Sequence, residues 1–165
     1  MQRSKVIIIE GVDRVGKTTL AGLLSTRIGA KIFKDSSFFA YNGYEANVEK
    51  VKTFVNMAMQ MKMGIICDRS FITEYVYSKL ERNNATAEAY LSDCLWMFQY
   101  ADFDVLYVYV KASDIKLSSN LHGKDLSSHS KLYDELYEAI TFKKIACDWF
   151  ALNEALDKIE EWYNE

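Results

Sequence analysis

The stretch KVIIIEGVDRVGKTT, Lys5 to Thr19, joins an uninterrupted aliphatic run to a glycine-bounded turn and then to a run of helix formers. Val6 to Ile9 shows no polar alternation, the pattern of a strand covered on both faces. Gly11 to Thr18 has the spacing G-x-x-x-x-G-K-T, in which backbone N–H groups and the positive end of the next helix hold phosphate oxygens. So short a pattern occurs by chance, but here a strand precedes it and a helix follows it, which is the context that gives it meaning. The nucleotide-binding set is then Gly11, Val12, Asp13, Arg14, Val15, Gly16, Lys17, Thr18 and Thr19. Lys17 places a cation on the phosphates of ATP, and the Thr18 hydroxyl offers a ligand to Mg²⁺.

Outward from this loop, strand-like and helix-like segments alternate. KTTLAGLLSTRI reads as a helix with Leu20, Leu23, Leu24 and Ile28 on one side, and AKIF after Gly29 reads as a short strand. Val48, Val51, Val55, Ala58 and Met59 recur at helical spacing before a third strand in GIICDRS. Leu91, Cys94, Leu95 and Phe98 form a helical stripe behind Thr86, a residue suited to an N-cap. DVLYVYV is β-branched and aromatic throughout, KKIAC is a weaker strand, and helices are expected around 132–140 and over the last residues. Parallel neighbours need long crossovers, so this alternation predicts an α/β fold: a P-loop NTPase three-layer sandwich with a five-stranded parallel sheet. Residues 1–165 are expected to form one domain, with the polar stretch 112–130 as a short lid.

Half of the 165 residues are hydrophobic, enough for a substantial core, and 20 basic against 23 acidic residues leave a net charge of −3. No basic run marks a nucleic-acid surface, and no apolar run is long enough to span a membrane. Cys67, Cys94 and Cys147 lie in apolar surroundings and read as buried thiols. Two histidines, His122 and His129, and no C-x-x-C give little material for a transition-metal site. A soluble cytoplasmic protein is expected; a homodimer is compatible with this layout.

EGVDRVGKTT resembles the phosphate loop of thymidylate kinases, and in particular the subgroup whose loop reads D-R-x-G-K. Members of that family stabilise the phosphoryl group in flight with an arginine that is either in this loop or in the lid. Arg14 is in the loop here, and residues 112–130 contain no arginine, so the resemblance implies that Arg14 has that role. Asp13, by the same match, would accept a hydrogen bond from the sugar 3′-hydroxyl; its other reading is a pair with Arg14. A second match, CDRSFITEYVYS from Cys67, is similar to the family's D-R-Y segment, with Thr73 in the place of its serine. The resemblance implies that Arg69 binds the acceptor phosphate and that Asp68 helps to position Mg²⁺. A strand-end pair between Asp68 and Arg69 is the plainer reading. The implied reaction is transfer from ATP to a deoxypyrimidine monophosphate, with Phe38, Phe39, Tyr41 and Phe71 as candidates for base selection.

Several positions depart from that pattern. Where such kinases carry F-P-x-R after the second strand, this chain has Phe33, Lys34 and Asp35 and no arginine. Ser70 makes the later motif D-R-S, closer to the E-R-S of deoxynucleoside kinases, whose general base follows the second strand, where Asp35 stands. Those relatives usually have an arginine-rich lid, whereas residues 112–130 offer Lys116 and Lys124. The lid therefore favours a monophosphate acceptor and the second-strand region a free nucleoside. An unusual or DNA-borne pyrimidine and a non-catalytic nucleotide switch are the remaining alternatives. Arg14→Ala should lower kcat at least ~10²-fold, roughly 2.7 kcal/mol, with much less change in ATP affinity. Steady-state kinetics with ATP varied would show it; a kcat preserved beside weakened ATP binding would make Arg14 a ground-state contact.

Overall fold

Strand β1 (Ser4–Glu10) is the centre of the molecule, and its aliphatic residues Val6, Ile7, Ile8 and Ile9 are wholly inaccessible to solvent. The computed structural model describes residues 3–13, 15–34, 42–112 and 125–165. Around β1 lie β2 (Lys31–Phe33), β3 (Ile65–Asp68), β4 (Phe103–Val110) and β5 (Lys143–Cys147), in the order β2-β3-β1-β4-β5 and all parallel. The five-stranded parallel α/β sheet expected from the alternation is the one found. Helices α1 (Lys17–Ile28) and α6 (Leu152–Asn164) pack together, while α2 (Tyr44–Gln60), α3 (Phe71–Leu80), α4 (Ala87–Tyr100) and α5 (Ser127–Ala139) form a second contiguous group.

Most expected elements lie where periodicity put them, with instructive differences in detail. In α1 the buried face is Lys17, Leu20, Ala21 and Leu24, whereas Leu23 is exposed, because the stripe is narrower than its leucines suggest. Thr86 does precede α4, yet its hydroxyl donates to Asn84 Oδ1 at 2.9 Å and caps nothing. Helix α3 has no counterpart in the expected pattern. Its isoleucine, valine and tyrosines suit a strand, but Ser70 caps it, accepting from the Ile72 N–H at 3.2 Å, and burial of Phe71, Ile72, Tyr75 and Val76 overrides propensity. Arg14, Asp35, Phe38, Phe39, Tyr41, His122 and residues 113–124 of the expected lid lie outside the described residues. The end of that span, from Ser127, is the first turn of α5.

The core between β1, β3 and the second helix group is aromatic. The Phe98 ring meets Phe71 at 4.8 Å, Phe103 at 5.5 Å and Phe54 at 5.8 Å between centroids. Phe71 is fully buried in this cluster, so its ring is core and not the base contact considered from its place beside D-R-S. Cys67, Cys94 and Cys147 are buried free thiols, as expected, and burial raises all three, Cys147 to about 11. No helix among the described residues is long and apolar enough to cross a membrane. Phe98→Ala removes the shared partner of three rings and should cost about 3–5 kcal/mol in urea unfolding. A loss below ~1 kcal/mol would mean that the cluster closes over the gap.

Candidate functional site

The carboxyl ends of β1 and β3 lie side by side, with Ile9 opposite Asp68 in register, and the phosphate loop leaves β1 at that point. Ligands of open parallel sheets bind at such strand ends. Gly11 begins the loop at φ 146°, and a side chain there would press to 2.4 Å on the Val110 carbonyl at the end of β4. Gly16 closes the loop at φ 101°, where a side chain would run into the Trp149 ring at 2.4 Å. Val12 and Val15 turn inward and are buried, so neither side chain stands between the loop's backbone and a ligand. No side chain caps α1 and its first turn carries no acid, which leaves its N–H groups available to an anion.

Lys17 is buried, and its Nζ donates to the carbonyls of Gly11 at 2.8 Å and Val12 at 2.5 Å. Burial first, then repulsion by Arg69, brings its ammonium down to about 8, against the pull of Glu10, Asp13 and Asp68. The Thr18 hydroxyl donates to Asp68 Oδ2 at 2.8 Å, and Lys34 Nζ lies 4.0 Å from the same oxygen. Two hard oxygens side by side suit Mg²⁺, which keeps most of its shell in water and phosphate. Among the described residues no three His, Cys, Asp or Glu side chains form a metal-holding group, so a dedicated protein cage is absent there.

Asp68 and Arg69 do not pair with each other. Arg69 has φ 75°, a left-handed conformation rare for a side-chain-bearing residue, and its Nη2 donates to Asp13 Oδ1. Asp13 accepts a second bond on Oδ2, from the Tyr77 hydroxyl at 3.2 Å. The strand end thus sends Asp68 toward the expected metal side and Arg69 toward the loop's acid. Thr73 faces inward: its hydroxyl donates to Glu10 and meets the Tyr133 hydroxyl at 2.9 Å. Glu10, the last residue of β1, is wholly buried, accepts Ser70 Oγ at 2.5 Å on its other oxygen, and is raised by that burial.

Glu10, Tyr77 and Trp149 escape a reading of the sequence alone. Glu10 carried a signal, an acid closing an otherwise aliphatic buried strand. Tyr77 required α3 to be known as a helix, and nothing local ties Trp149 to Gly16. Trp149 is 41% exposed and Phe150 94% exposed, an aromatic pair beside the loop on the β5 side. His129 is in the first turn of α5, buried, with Nε2 3.2 Å from Glu81 Oε1.

No protein-family profile matches this chain, and no curated protein matches it by sequence. Solved structures do match. YorR from Bacillus subtilis, in complex with phosphorylated GDP, shares 24% identity over 96% of this chain and 95% of its own, with a TM-score of 0.73. Deoxyadenosine kinase from M. mycoides with bound dATP shares 17% over 97% and 100%, with a TM-score of 0.64. NadR in complex with NAD and AMP-PNP shares 16% with a TM-score of 0.64; this chain spans 50% of its length. The chain shares the fold of these structures, a parallel α/β sandwich. The thymidylate kinase resemblance rests on the sequence motifs, since overlays at this identity bear on the fold alone.

Lys17 holds a charge that burial opposes, so the site carries it at a cost to the folded state. Its pKa is lower folded than unfolded, so the cost is full below pH about 8 and is relieved between there and the ordinary 10.5. Lys17→Met should therefore keep or raise Tm, with its advantage over wild type shrinking across that pH window. In the same variant kcat for phosphoryl transfer should fall at least ~10²-fold. Paired thermal melts and kinetics check both; a Tm lowered by several degrees would make the lysine a structural tie between the Gly11 and Val12 carbonyls.

Proposed function

We propose that this protein is an ATP-dependent kinase that phosphorylates a deoxypyrimidine nucleoside monophosphate, yielding ADP and the diphosphate. The observation that carries the reading is the convergence of Lys17, the Thr18–Asp68 pair and Arg69 at the ends of two adjacent strands. One cation and one hard-oxygen pair serve a triphosphate; a second cation beyond them suits a second anionic substrate. The Trp149 ring against Gly16 supports a donor base on the β5 side, and Lys34 and Arg69 support an acceptor phosphate on the β2–β3 side. The phosphorylated GDP of YorR and the dATP of deoxyadenosine kinase, both purine nucleotides, support a nucleotide as substrate and do not bear on the base.

The donor's phosphates lie on the loop N–H groups, and Lys17 exchanges the Gly11 and Val12 carbonyls for phosphate oxygens. Arg69 holds the acceptor phosphate, one of whose oxygens attacks the γ-phosphorus in line as the bond to ADP breaks. A monophosphate dianion is nucleophilic near neutral pH, so positioning and charge neutralisation supply the catalysis without a general base. Mg²⁺, held through Thr18 and Asp68, would neutralise charge on the β- and γ-phosphates. Arg14 serves the charge of the transferring group, and Asp13 orients the sugar.

A free deoxynucleoside is the second reading, favoured by the D-R-S motif and by the full-length overlay with deoxyadenosine kinase. A hydroxyl nucleophile requires proton removal, worth ~10²–10⁴-fold, so Asp35→Asn would then nearly silence the protein. On the monophosphate reading Asp35→Asn keeps most activity, while Arg69→Ala raises the acceptor KM at least about tenfold through loss of a charge-assisted phosphate contact. An ADP-release assay over nucleosides and their monophosphates, run with both variants, separates the two. Phosphorylation of thymidine but not of its monophosphate, with an intolerant Asp35, would place the protein with the nucleoside kinases.

A further inference from the structure

We propose that Glu10 is a positioning residue for the acceptor side of the site: it fixes the corner between β3 and α3 from which Arg69 reaches the loop. The inference rests on the reading of Arg69 as the acceptor's cation. Two consecutive residues of β1 hold two consecutive residues of that corner. The Ile9 carbonyl accepts the Arg69 N–H at 3.1 Å, and the Glu10 carboxylate accepts the Ser70 hydroxyl at 2.5 Å. Ser70 Oγ also accepts from the Ile72 N–H at 3.2 Å, so a single side chain ends the corner and begins the helix. The other Glu10 oxygen takes the Thr73 proton, which leaves the Tyr133 hydroxyl, on α5, to donate to Thr73.

A left-handed residue with a side chain persists where its surroundings over-determine it, and Arg69 at φ 75° is such a residue. Its ion pair with Asp13 cannot supply that constraint. Both side chains are about two-fifths exposed, at 41% and 38%, and pairs so near solvent hold little. The backbone corner therefore places the guanidinium, and the Glu10 carboxylate closes that corner by accepting from Ser70 and Thr73. Burying a carboxylate completely is a poor route to stability alone, because an apolar side chain there would carry no desolvation cost. Geometry for Arg69 is what the acid provides in return.

The test is steady-state transfer from Mg·ATP to dTMP by wild type, Glu10→Ala, Glu10→Gln, Ser70→Ala, Arg69→Ala and the doubles with Arg69→Ala. Glutamine can accept from Ser70 and donate to Thr73, which then donates to Tyr133, so Glu10→Gln should stay within about threefold of wild type. Glu10→Ala and Ser70→Ala should raise the acceptor KM at least about tenfold while the ATP KM moves less than about threefold. In the Arg69→Ala background neither should add anything, because the group they position is gone. A purely structural role would lower Tm or the active fraction and leave that KM alone. Should Glu10→Ala not fold, Ser70→Ala carries the same comparison. An Arg69→Ala effect that multiplies with theirs, or an acceptor KM unmoved by either, overturns the positioning role and leaves the kinase reading intact. An acceptor KM unmoved by Arg69→Ala itself overturns the assignment of Arg69, and this inference with it.

Discussion

Strand β1 hydrogen-bonds to a parallel neighbour on each side, with Ile9 opposite Asp68 of β3 and Val108 of β4. Much else follows from that register. A one-residue slip would repack both buried faces of the strand and move its exit away from that of β3. The register holds the exit of β1 beside the exit of β3, so the first turn of α1 meets Asp68 through the Thr18 hydroxyl. It also sets the Ile9 carbonyl where it receives the Arg69 N–H. The site is a consequence of strand pairing before it is a matter of side chains.

Two buried charges of opposite sign sit on that frame, and neither is explained by stability. Lys17 and Glu10 flank the loop from either end, each disfavoured by burial and each moderated by the other's field. Their hydrogen bonds run in different directions. Lys17 donates to loop carbonyls, and Glu10 gathers hydroxyls from the first turn of α3. The lysine is thus available for exchange with an anion, whereas the glutamate is locked into the scaffold. Groups of this kind accumulate where chemistry needs them, because a core built for stability alone would use apolar side chains of the same volume.

The two sides of the loop differ in chemistry. Toward β5 stands Trp149, pressed on Gly16, with Phe150 beside it in solvent. Toward β2 stand Lys34, Asp68 and the Arg69–Asp13–Tyr77 set. One flank is thus aromatic and the other charged, so the two sides of the loop offer different chemistry to anything bound there. Glycine at position 16 serves both purposes at once, admitting the left-handed turn and leaving room for the indole.

The strand–loop–helix that opens the chain, the α/β alternation and the five strands were legible in the residues alone. Each of these is written locally: an aliphatic run, a glycine spacing, a period of 3.6 or an unbroken β-branched segment. The sequence also placed Asp68 and Arg69 at a strand end, though not their partners. The tertiary structure decided that Asp68 meets Thr18 and Arg69 meets Asp13, that Phe71 belongs to the core, and that 71–80 is a helix despite strand-like residues. It decided too that Glu10 receives Ser70 and Thr73, and that Trp149 covers Gly16. These contacts join residues dozens of positions apart, brought together by crossovers between parallel strands. Periodicity reports which face of an element is buried; it carries no information about which distant element will cover that face.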